Sequence, residues 1–222
     1  LRLSYNNLGS GEEGNLSFLD PLTNCSRLRI LELESNNFQR SLPSSIANLS
    51  TTLQIISLAY NQISGSIPSG IGNCISLILL SLQGNKLTGI IPSEIARLGK
   101  LQRVILSNNM LSGSIPASIG NLSLLDEIHL EDNQLQGTIP AGFGNCPMLV
   151  FLDLSRNNLS GTIPRNFFSI SPFSVKLNIS RNHLVGSLPA AIGALGTVVE
   201  LDVSENEFSG FIPVELGRCI SL

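Results

Sequence analysis

The chain of 222 residues has little that would mark a nucleic-acid-binding protein or a membrane-spanning protein. Charged residues make up 13% of it and aromatic residues 5%, tryptophan is absent, and the formal net charge is −3. This balance gives no electrostatic reason to expect nucleic acid or an anionic membrane surface as a partner. The longest apolar run, at residues 75–82, is broken by serines and is far shorter than the ~20 residues of a spanning helix.

Cysteine is also scarce, and its spacing suits neither disulfides nor a metal site. Cys25, Cys74, Cys146 and Cys219 occupy one slot of a repeating unit in which other copies carry leucine. The nearest pair is two repeats apart, while neighbouring turns of a parallel coil are ~4.8 Å apart and a disulfide needs Cα atoms ~4.4–6.8 Å apart. Metal-ligand spacing such as CxxC is missing. We therefore predict four buried thiols that pack as small hydrophobic groups, and no metal or other cofactor.

A repeat of 24 or 25 residues, marked by asparagine, runs through nearly the whole chain. Each asparagine follows two apolar residues separated by one position, as Leu152 and Leu154 precede Asn157. This alternation predicts a short strand whose leucines point inward. The buried asparagine amide would then supply a donor and an acceptor to backbone groups at the turn. The predicted asparagine ladder consists of Asn36, Asn61, Asn85, Asn109, Asn133, Asn157, Asn182 and Asn206.

A second phrase follows each asparagine, for example SGSIPASIGN at residues 112–121. Its glycine suits a turn or a close backbone approach, and its Ile-Pro pair predicts extended backbone. The remaining residues are too few for an α-helix and predict a 3-10 turn on the outer side. In the second repeat Gln39 and Arg40 replace serine and glycine, which predicts a locally distorted turn. A period of this size is typical of a repeat solenoid.

The phrase LxGxIPxxIGN resembles the plant-type subclass of leucine-rich repeats, over essentially the whole chain. Residues 15–33, NLSFLDPLTNCSRLRILEL, also resemble ectodomains of plant receptor-like kinases, especially the group with grass bacterial-blight and flagellin-sensing immune receptors. The resemblance implies an α/β leucine-rich repeat solenoid, a right-handed superhelix with a concave parallel β-sheet and 3-10 turns on the convex side. It also implies the extracellular side of the plasma membrane (the apoplast), a peptide or protein ligand, and a leucine-rich repeat co-receptor kinase.

We expect residues 1–222 to form one domain of about nine repeats, taken from a longer protein. Leu1 falls within a strand pattern and Leu222 opens a repeat, so both ends are expected to lack capping units. In the receptors that the chain resembles, a transmembrane helix and a Ser/Thr kinase follow the repeats, so the kinase is inferred from kinship alone. For this segment we predict no enzyme activity, because GxSxG, Walker and kinase motifs are missing.

Strand residues beside the inward leucines are predicted to form columns on the concave face. Neighbouring repeats bring opposite charges together in these columns, for example Arg103 and Glu127. This favours a self-paired, solvated surface with each pair contributing under ~1 kcal/mol. The alternative is a peptide-reading strip, because apolar and aromatic residues lie among the charges. A more apolar second candidate lies in the first turns, with Ile30, Ile55 and Leu79 beside Tyr60. The predicted ligand-contact residues are Tyr60, Gln83, Arg103, Ile105, Glu127, His129, Glu131, Phe151, Asp153 and Arg156.

His129 is expected to have an acidic surround of Asp153, Glu127 and Glu131. Acidic neighbours favour the protonated imidazole, so His129 is either a pH-sensitive contact or an ordinary exposed histidine.

Six N-glycosylation sequons suit a secreted glycoprotein. One of them, at Asn178, falls in the central concave column, where a glycan would displace ligand binding toward the N-terminus. The sequons are at Asn15, Asn24, Asn48, Asn121, Asn158 and Asn178.

The first functional hypothesis is the ligand-recognition module of a plant receptor-like Ser/Thr kinase, which senses a peptide or a microbial elicitor in immunity or development. A second hypothesis is a secreted cell-wall protein that inhibits a pathogen's polygalacturonase through the same concave face. A third is a receptor-like protein that has a membrane anchor but no kinase. The residues that would follow position 222 distinguish these hypotheses, because only the first requires a spanning segment with kinase motifs.

Overall fold

The computed structural model describes residues 1–10, 16–169 and 175–222. Within them the chain coils through two parallel sheets of eight strands each. The first sheet contains β1 (Ile30–Glu32), β3 (Ile55–Ser57), β5 (Leu79–Ser81), β7 (Arg103–Ile105), β9 (Glu127–His129), β11 (Phe151–Asp153), β13 (Lys176–Asn178) and β15 (Glu200–Asp202). The second contains β2 (Gln39–Ser41), β4 (Gln62–Gly65), β6 (Lys86–Gly89), β8 (Met110–Gly113), β10 (Gln134–Gly137), β12 (Asn158–Gly161), β14 (His183–Gly186) and β16 (Glu207–Phe208).

Short 3-10 helices close the coils, and all but one of those described follow a proline directly. Each such proline has an extended ψ, as Pro116 does with φ −62° and ψ 127°, and the helix begins at the next residue. The 3-10 helices are Ser44–Asn48, Ser69–Asn73, Ser93–Arg97, Ala117–Asn121, Ala141–Asn145, Phe167–Ser169, Ala190–Ala194 and Val214–Arg218. One α-helical turn, α1, spans Leu19–Leu22 near the start of the chain. None of the described helices has the length and apolarity needed to cross a membrane.

The predicted solenoid is confirmed, and its core consists of the inward leucines and isoleucines of successive coils. In the first sheet the middle residue of each strand from β1 to β13 is buried, as Val104, Ile128 and Leu152 are, and these residues pair in register. Their burial forms one continuous hydrophobic cluster along the coil. Because each coil contributes one inward residue at each position, no coil can bury its apolar side without its neighbours.

The second sheet was not predicted from the sequence. Its strands follow the ladder asparagines, and the six from β4 to β14 end at the glycine of the repeat phrase, as β8 ends at Gly113. In the second repeat the expected distortion at Gln39 and Arg40 is slight. Arg40 takes φ +65°, close to the +74° of Gly65, and β2 pairs in parallel with β4. The turn is kept although a residue with a Cβ occupies it, at a cost of roughly 1–2 kcal/mol.

The prediction of four buried thiols is wrong for Cys25, which is exposed. The buried thiols of Cys74, Cys146 and Cys219 lie 3.6, 3.8 and 3.4 Å from carbonyl oxygens in the 3-10 helix of the preceding coil. Cys25 instead follows α1, and among the described residues no helix of a preceding coil covers it. The repeat position that holds cysteine or leucine is therefore buried only where a helix of a preceding coil packs against it.

Candidate ligand-binding face

The first sheet presents its outward side chains in straight columns. A three-residue strand such as β9 buries Ile128 and turns Glu127 and His129 outward. Parallel pairing without slippage brings Arg103, Glu127, Phe151, Lys176 and Glu200 into one column. The same pairing brings Ile105, His129, Asp153, Asn178 and Asp202 into the next column.

Beyond β5, four ion pairs join neighbouring coils within the columns of this face. None of the eight side chains is fully buried, so each pair contributes under ~1 kcal/mol to stability. The hydrogen bond from Lys176 to Glu200 raises the pKa of that lysine. The pairs are Arg103–Glu127 at 3.7 Å, Lys176–Glu200 at 2.9 Å, Arg156–Asp132 at 3.3 Å and Arg181–Glu205 at 2.8 Å.

An aromatic cluster lies at the centre of the sheet. The rings of His129 and Phe151 stack with centroids 4.3 Å apart and planes inclined by 21°. Lys176 Nζ lies 5.4 Å from the centroid of the Phe151 ring. His129 Nδ1 lies 3.7 Å from Glu131 Oε1, so the acidic contact of this histidine comes from Glu131. These contacts connect three coils through partly exposed groups, and the pH sensitivity of His129 stays a prediction.

Asp153 lies in the predicted contact patch, but its carboxylate is occupied by the sheet itself. Only 7% of the residue is exposed. Its Oδ1 accepts hydrogen bonds from the Ser155 backbone N–H at 3.0 Å and from Ser155 Oγ at 2.6 Å. Its Oδ2 accepts one from Asn178 Nδ2 at 3.2 Å. The repeat pattern placed Asp153 at the surface because it reveals the column but not these side-chain hydrogen bonds.

A polar groove of about 300 Å³ lies over the C-terminal half of the sheet. Asp202 forms part of its floor and accepts the Ser204 N–H at 3.0 Å. Burial raises the pKa of Asp202. Hydrogen bonds from Ser204 and Ser180 and the charge of Arg181 lower the pKa by more than burial raises it, so the pKa of Asp202 lies below its ordinary value. The groove is lined by Glu131, Asp132, Asp153, Ser155, Arg156, Asn178, Ser180, Arg181, Asp202 and Ser204.

The predicted contact residues from Tyr60 to Ile105 carry fewer charges than those from Glu127 to Arg156. Tyr60 is 56% exposed, and its ring lies against Gly84, where an added Cβ would clash with it. Gln83 is half-buried and accepts a hydrogen bond from Ser107 Oγ at 3.3 Å. Ile105 is also half-buried, on β7. The predicted contact residues therefore lie in or just after the strands of one sheet. The contacts described above join Arg103 to Glu127, and His129 to Phe151 and Glu131.

Residues in the column after the strands have a left-handed backbone, which the sequence pattern did not predict. Tyr60, Asn108, Asp132 and Arg156 have φ values of +53°, +54°, +55° and +52°, and Gly84 has +64°. β-branched residues tolerate this conformation poorly. The absence of valine, isoleucine and threonine from the column was the signal that could have revealed it.

The eight ladder asparagines make one repeated set of hydrogen bonds. Asn109 Nδ2 donates to the carbonyl oxygens of Leu82, Leu106 and Ser107 at 3.0, 3.1 and 3.1 Å. Its Oδ1 accepts the Leu87 N–H at 3.0 Å. Asn133 and Asn206 are somewhat more exposed but make equivalent bonds. Each amide thus joins neighbouring coils at the turn.

The sequons lie on different faces of the coil. Asn48 and Asn121 are exposed at the ends of 3-10 helices, Asn24 is exposed after α1, and Asn158 is exposed on β12. Asn178 is half-buried, and its Oδ1 accepts hydrogen bonds from the Ser180 N–H at 3.0 Å and Oγ at 2.7 Å. Asn15 lies outside the described residues. The exposed sequons leave the concave sheet uncovered.

Comparisons with known proteins give one consistent result. Family models described as leucine rich repeat match residues 51–111 and 100–159, and further copies match residues 27–49, 175–195 and 197–219. The chain is 44% identical over 77 residues, 35% of its length, to the LRR receptor-like serine/threonine-protein kinase EFR of Arabidopsis thaliana. It is 48% identical over 66 residues, 30% of its length, to the receptor kinase-like protein Xa21 of Oryza sativa subsp. japonica. These matches span 8% and 6% of the two relatives.

A solved structure extends the similarity to most of the chain. The Arabidopsis receptor kinase HAESA, crystallised in complex with the peptide hormone IDA and the co-receptor SERK1, matches with a TM-score of 0.85 and 37% identity. The match covers 89% of this chain and 33% of that chain. The shared region therefore corresponds to about a third of the crystallised receptor chain.

Proposed function

Since the chain belongs to the leucine-rich repeat family, we propose that it is the extracellular ligand-recognition segment of a plant receptor-like Ser/Thr kinase. Its ligand would be a peptide or a microbial elicitor, bound on the concave first sheet, with an output in immunity or development. The observation that carries this proposal is the aromatic and apolar strip of exposed Tyr60 and half-buried Ile105 and Phe151, flanked by paired charges. Aromatic anchors within a polar rim are typical of protein-binding surfaces.

An extended peptide suits this surface because the columns run across the coils at intervals of one strand. A ligand that crosses β7, β9 and β11 would meet Ile105, then His129, then Phe151. The ion pairs on either side, such as Arg156–Asp132 at 3.3 Å, are exposed and weak. A ligand charge can therefore replace one partner of such a pair at little cost.

The remaining parts of the proposal concern a longer parent protein, since the matched segments span only 8% and 6% of EFR and Xa21. We propose that residues 1–222 form one repeat domain of a longer protein, located in the apoplast on the plasma membrane. A kinase, a spanning segment and a leucine-rich repeat co-receptor would lie outside this chain. We propose glycans at the exposed asparagines of the sequons, which leave the concave sheet free. The segment itself is a repeat domain and not a catalytic one.

The test is to capture peptides from an apoplastic extract on the immobilised chain and to identify them by mass spectrometry. Phe151→Ala should reduce capture about tenfold or more, because it removes the central aromatic side chain. The matched control is Phe211→Ala, since Phe211 is 94% exposed beyond the second sheet. Equal capture by Phe151→Ala and by the wild-type chain would contradict binding at this face.

A further inference from the structure

A small apolar pocket lies at the leading edge of the first sheet, where β3, β5 and β7 begin. Its volume is about 230 Å³, below that of sites for drug-sized ligands and sufficient for one side chain. We call it the edge pocket. It is lined by Gln54, Ile55, Ile78, Leu79, Gln102 and Arg103.

The backbone in the edge pocket has no acceptor in need of a partner. The carbonyl oxygen of Gln54 accepts N–H groups from Ile78 at 2.8 Å and from Leu79 at 3.1 Å. The carbonyl oxygen of Ile78 accepts N–H groups from Gln102 at 2.9 Å and from Arg103 at 3.1 Å. Because both lone pairs of each oxygen are used, an apolar group can cover them without breaking a hydrogen bond to water.

The side-chain amides at the two ends of the edge pocket have no such partners. Within the described part of the chain, the hydrogen bonds do not include the side chains of Gln54 or Gln102. Each amide offers a donor and an acceptor, which is the pattern of a peptide backbone. The edge pocket thus combines an apolar interior with two groups that can bind an extended main chain.

The charge at the rim of the edge pocket is negative. Arg103 Nε lies 3.7 Å from Glu127 Oε2 and 3.9 Å from Asp126 Oδ1, so one guanidinium faces two carboxylates and the sum is −1. Asp126 Oδ1 is buried without a hydrogen-bond partner among the described residues. Burial, and then the charge of Glu127, raise the pKa of Asp126 despite Arg103. A further positive group at this rim would stabilise both carboxylates.

We propose that the edge pocket is an anchor subsite that takes one aliphatic side chain of a peptide whose adjacent residue is basic. The inference rests on the proposed function, because it specifies the ligand chemistry for one part of the same sheet. The aliphatic side chain lies between Ile55, Ile78 and Leu79, and the main chain bonds to the glutamine amides. The neighbouring lysine or arginine lies over Asp126 and Glu127.

The experiment is an NMR titration of the ¹⁵N-labelled chain with three capped dipeptides. Acetyl-Leu-Lys-amide should shift the side-chain amide signals of Gln54 and Gln102. Acetyl-Leu-Glu-amide should bind about threefold more weakly, since it places a carboxylate at the negative rim. Acetyl-Ser-Lys-amide should bind more than about tenfold more weakly, because it lacks the aliphatic side chain.

A matched pair of variants locates the binding. Ile78→Arg fills the edge pocket, in a column that already contains Gln54, Gln102 and Asp126, so the coil tolerates a polar residue there. It should abolish the shifts. Val199→Arg changes the equivalent position before β15, far from the edge pocket, and should leave binding unchanged.

The outcomes separate this inference from the proposed function. If acetyl-Leu-Lys-amide causes no shifts, or binds the Ile78→Arg variant as well as it binds the wild-type chain, the edge pocket is not an anchor subsite. Peptides captured from the apoplast would still support recognition on the concave face in that case. Failure to capture any peptide would overturn the proposed function, even if the dipeptide binds as expected.

Discussion

Asn109 shows how a single residue type holds neighbouring coils together. Its amide bonds to carbonyl groups of two coils and accepts the N–H of Leu87. All of these backbone groups are buried, so they have no access to water as a substitute. A leucine of similar size fills the space, but it leaves the Leu87 N–H without a partner and removes one hydrogen bond from each of three carbonyl groups. The residue is therefore required for its hydrogen bonds and not for its volume.

We expect Asn109→Leu to destabilise the chain by about 3 kcal/mol, since the unsatisfied Leu87 N–H costs about 1–3 kcal/mol and each of the three lost hydrogen bonds to carbonyl groups about 0.5–1.5 kcal/mol. Urea unfolding followed by circular dichroism measures the change. The control is Asn121→Leu, because Asn121 is exposed at the end of a 3-10 helix. Equal unfolding midpoints for the two variants would show that the ladder bonds contribute nothing.

At the scale of the element, the 3-10 helices pack against each other through glycine. Gly144 lies so close to the next helical segment that an added Cβ would clash with the backbone oxygen of Asn166. Gly72, Gly120 and Gly193 make similarly close approaches in other coils. Backbone atoms cannot rotate away as a side chain does, so these glycines set the spacing on the convex side.

Gly144→Ala should lower stability by about 1–3 kcal/mol, as for other overpacked sites. Gly99→Ala is the matched control, because the space that its methyl group would enter is open to a distance of 4 Å. We expect that control to change stability by less than ~0.5 kcal/mol. Differential scanning calorimetry of both variants tests the prediction, and a Tm for Gly144→Ala at the wild-type value would contradict it.

The hydrogen-bonded carboxyl of Asp202, on β15 of the first sheet, makes the stability of the fold depend on pH. Asp202 has a lowered pKa in the folded chain, through Ser204, Ser180 and Arg181. A carboxyl with a lower pKa in the folded state stabilises the fold above its unfolded pKa, and that contribution is lost as the pH falls through the folded pKa. The unfolded value is near 3.8, so the loss falls in acid below that value.

Asp202→Asn should therefore have a lower Tm than the wild-type chain at pH 7, with a difference that shrinks at pH values of about 3 and below. Thermal unfolding at several pH values measures it. Ser204→Ala removes one of the donors and should weaken the same pH dependence. If the Tm difference between Asp202→Asn and wild type is constant over pH, the carboxylate charge is not the cause.

At the scale of the whole molecule, the coils protect what lies between them. Cys74 and Cys146 are buried among neighbouring coils, and burial raises the pKa of each thiol to about 11. Burial also raises the pKa of Cys219. Cys25 is exposed at the N-terminal end of the described helices. The thiols therefore report separately on the end and on the interior of the solenoid.

We expect iodoacetamide at about pH 8 to modify Cys25 quickly in the native chain, while the other three thiols react only on unfolding. Thiolates are the reactive form, and a pKa of about 11 leaves few of them at that pH. Mass spectrometry of peptides after increasing urea gives the order of exposure. Rapid modification of Cys146 without urea would contradict the packing of the coils, and Cys25→Ser should remove the fast reaction.

The sequence by itself determined the period, the strand positions of the first sheet and the charge pairs on it. Arg103 and Glu127 were predicted to be neighbours, and they lie 3.7 Å apart, because a repeat of constant length places equivalent residues one strand apart. Inward leucines and the ladder asparagines follow from the same period. These features depend only on register, which repeats through the chain.

The tertiary structure alone decided which of the outward residues are available. Asp153 is held by Ser155 and Asn178, and Cys25 is exposed because no helix of a preceding coil covers it among the described residues. The edge pocket requires side chains of three coils and two carbonyl groups that are already saturated. Such features depend on how far each side chain reaches across its neighbours, and a repeat pattern carries no information on that distance.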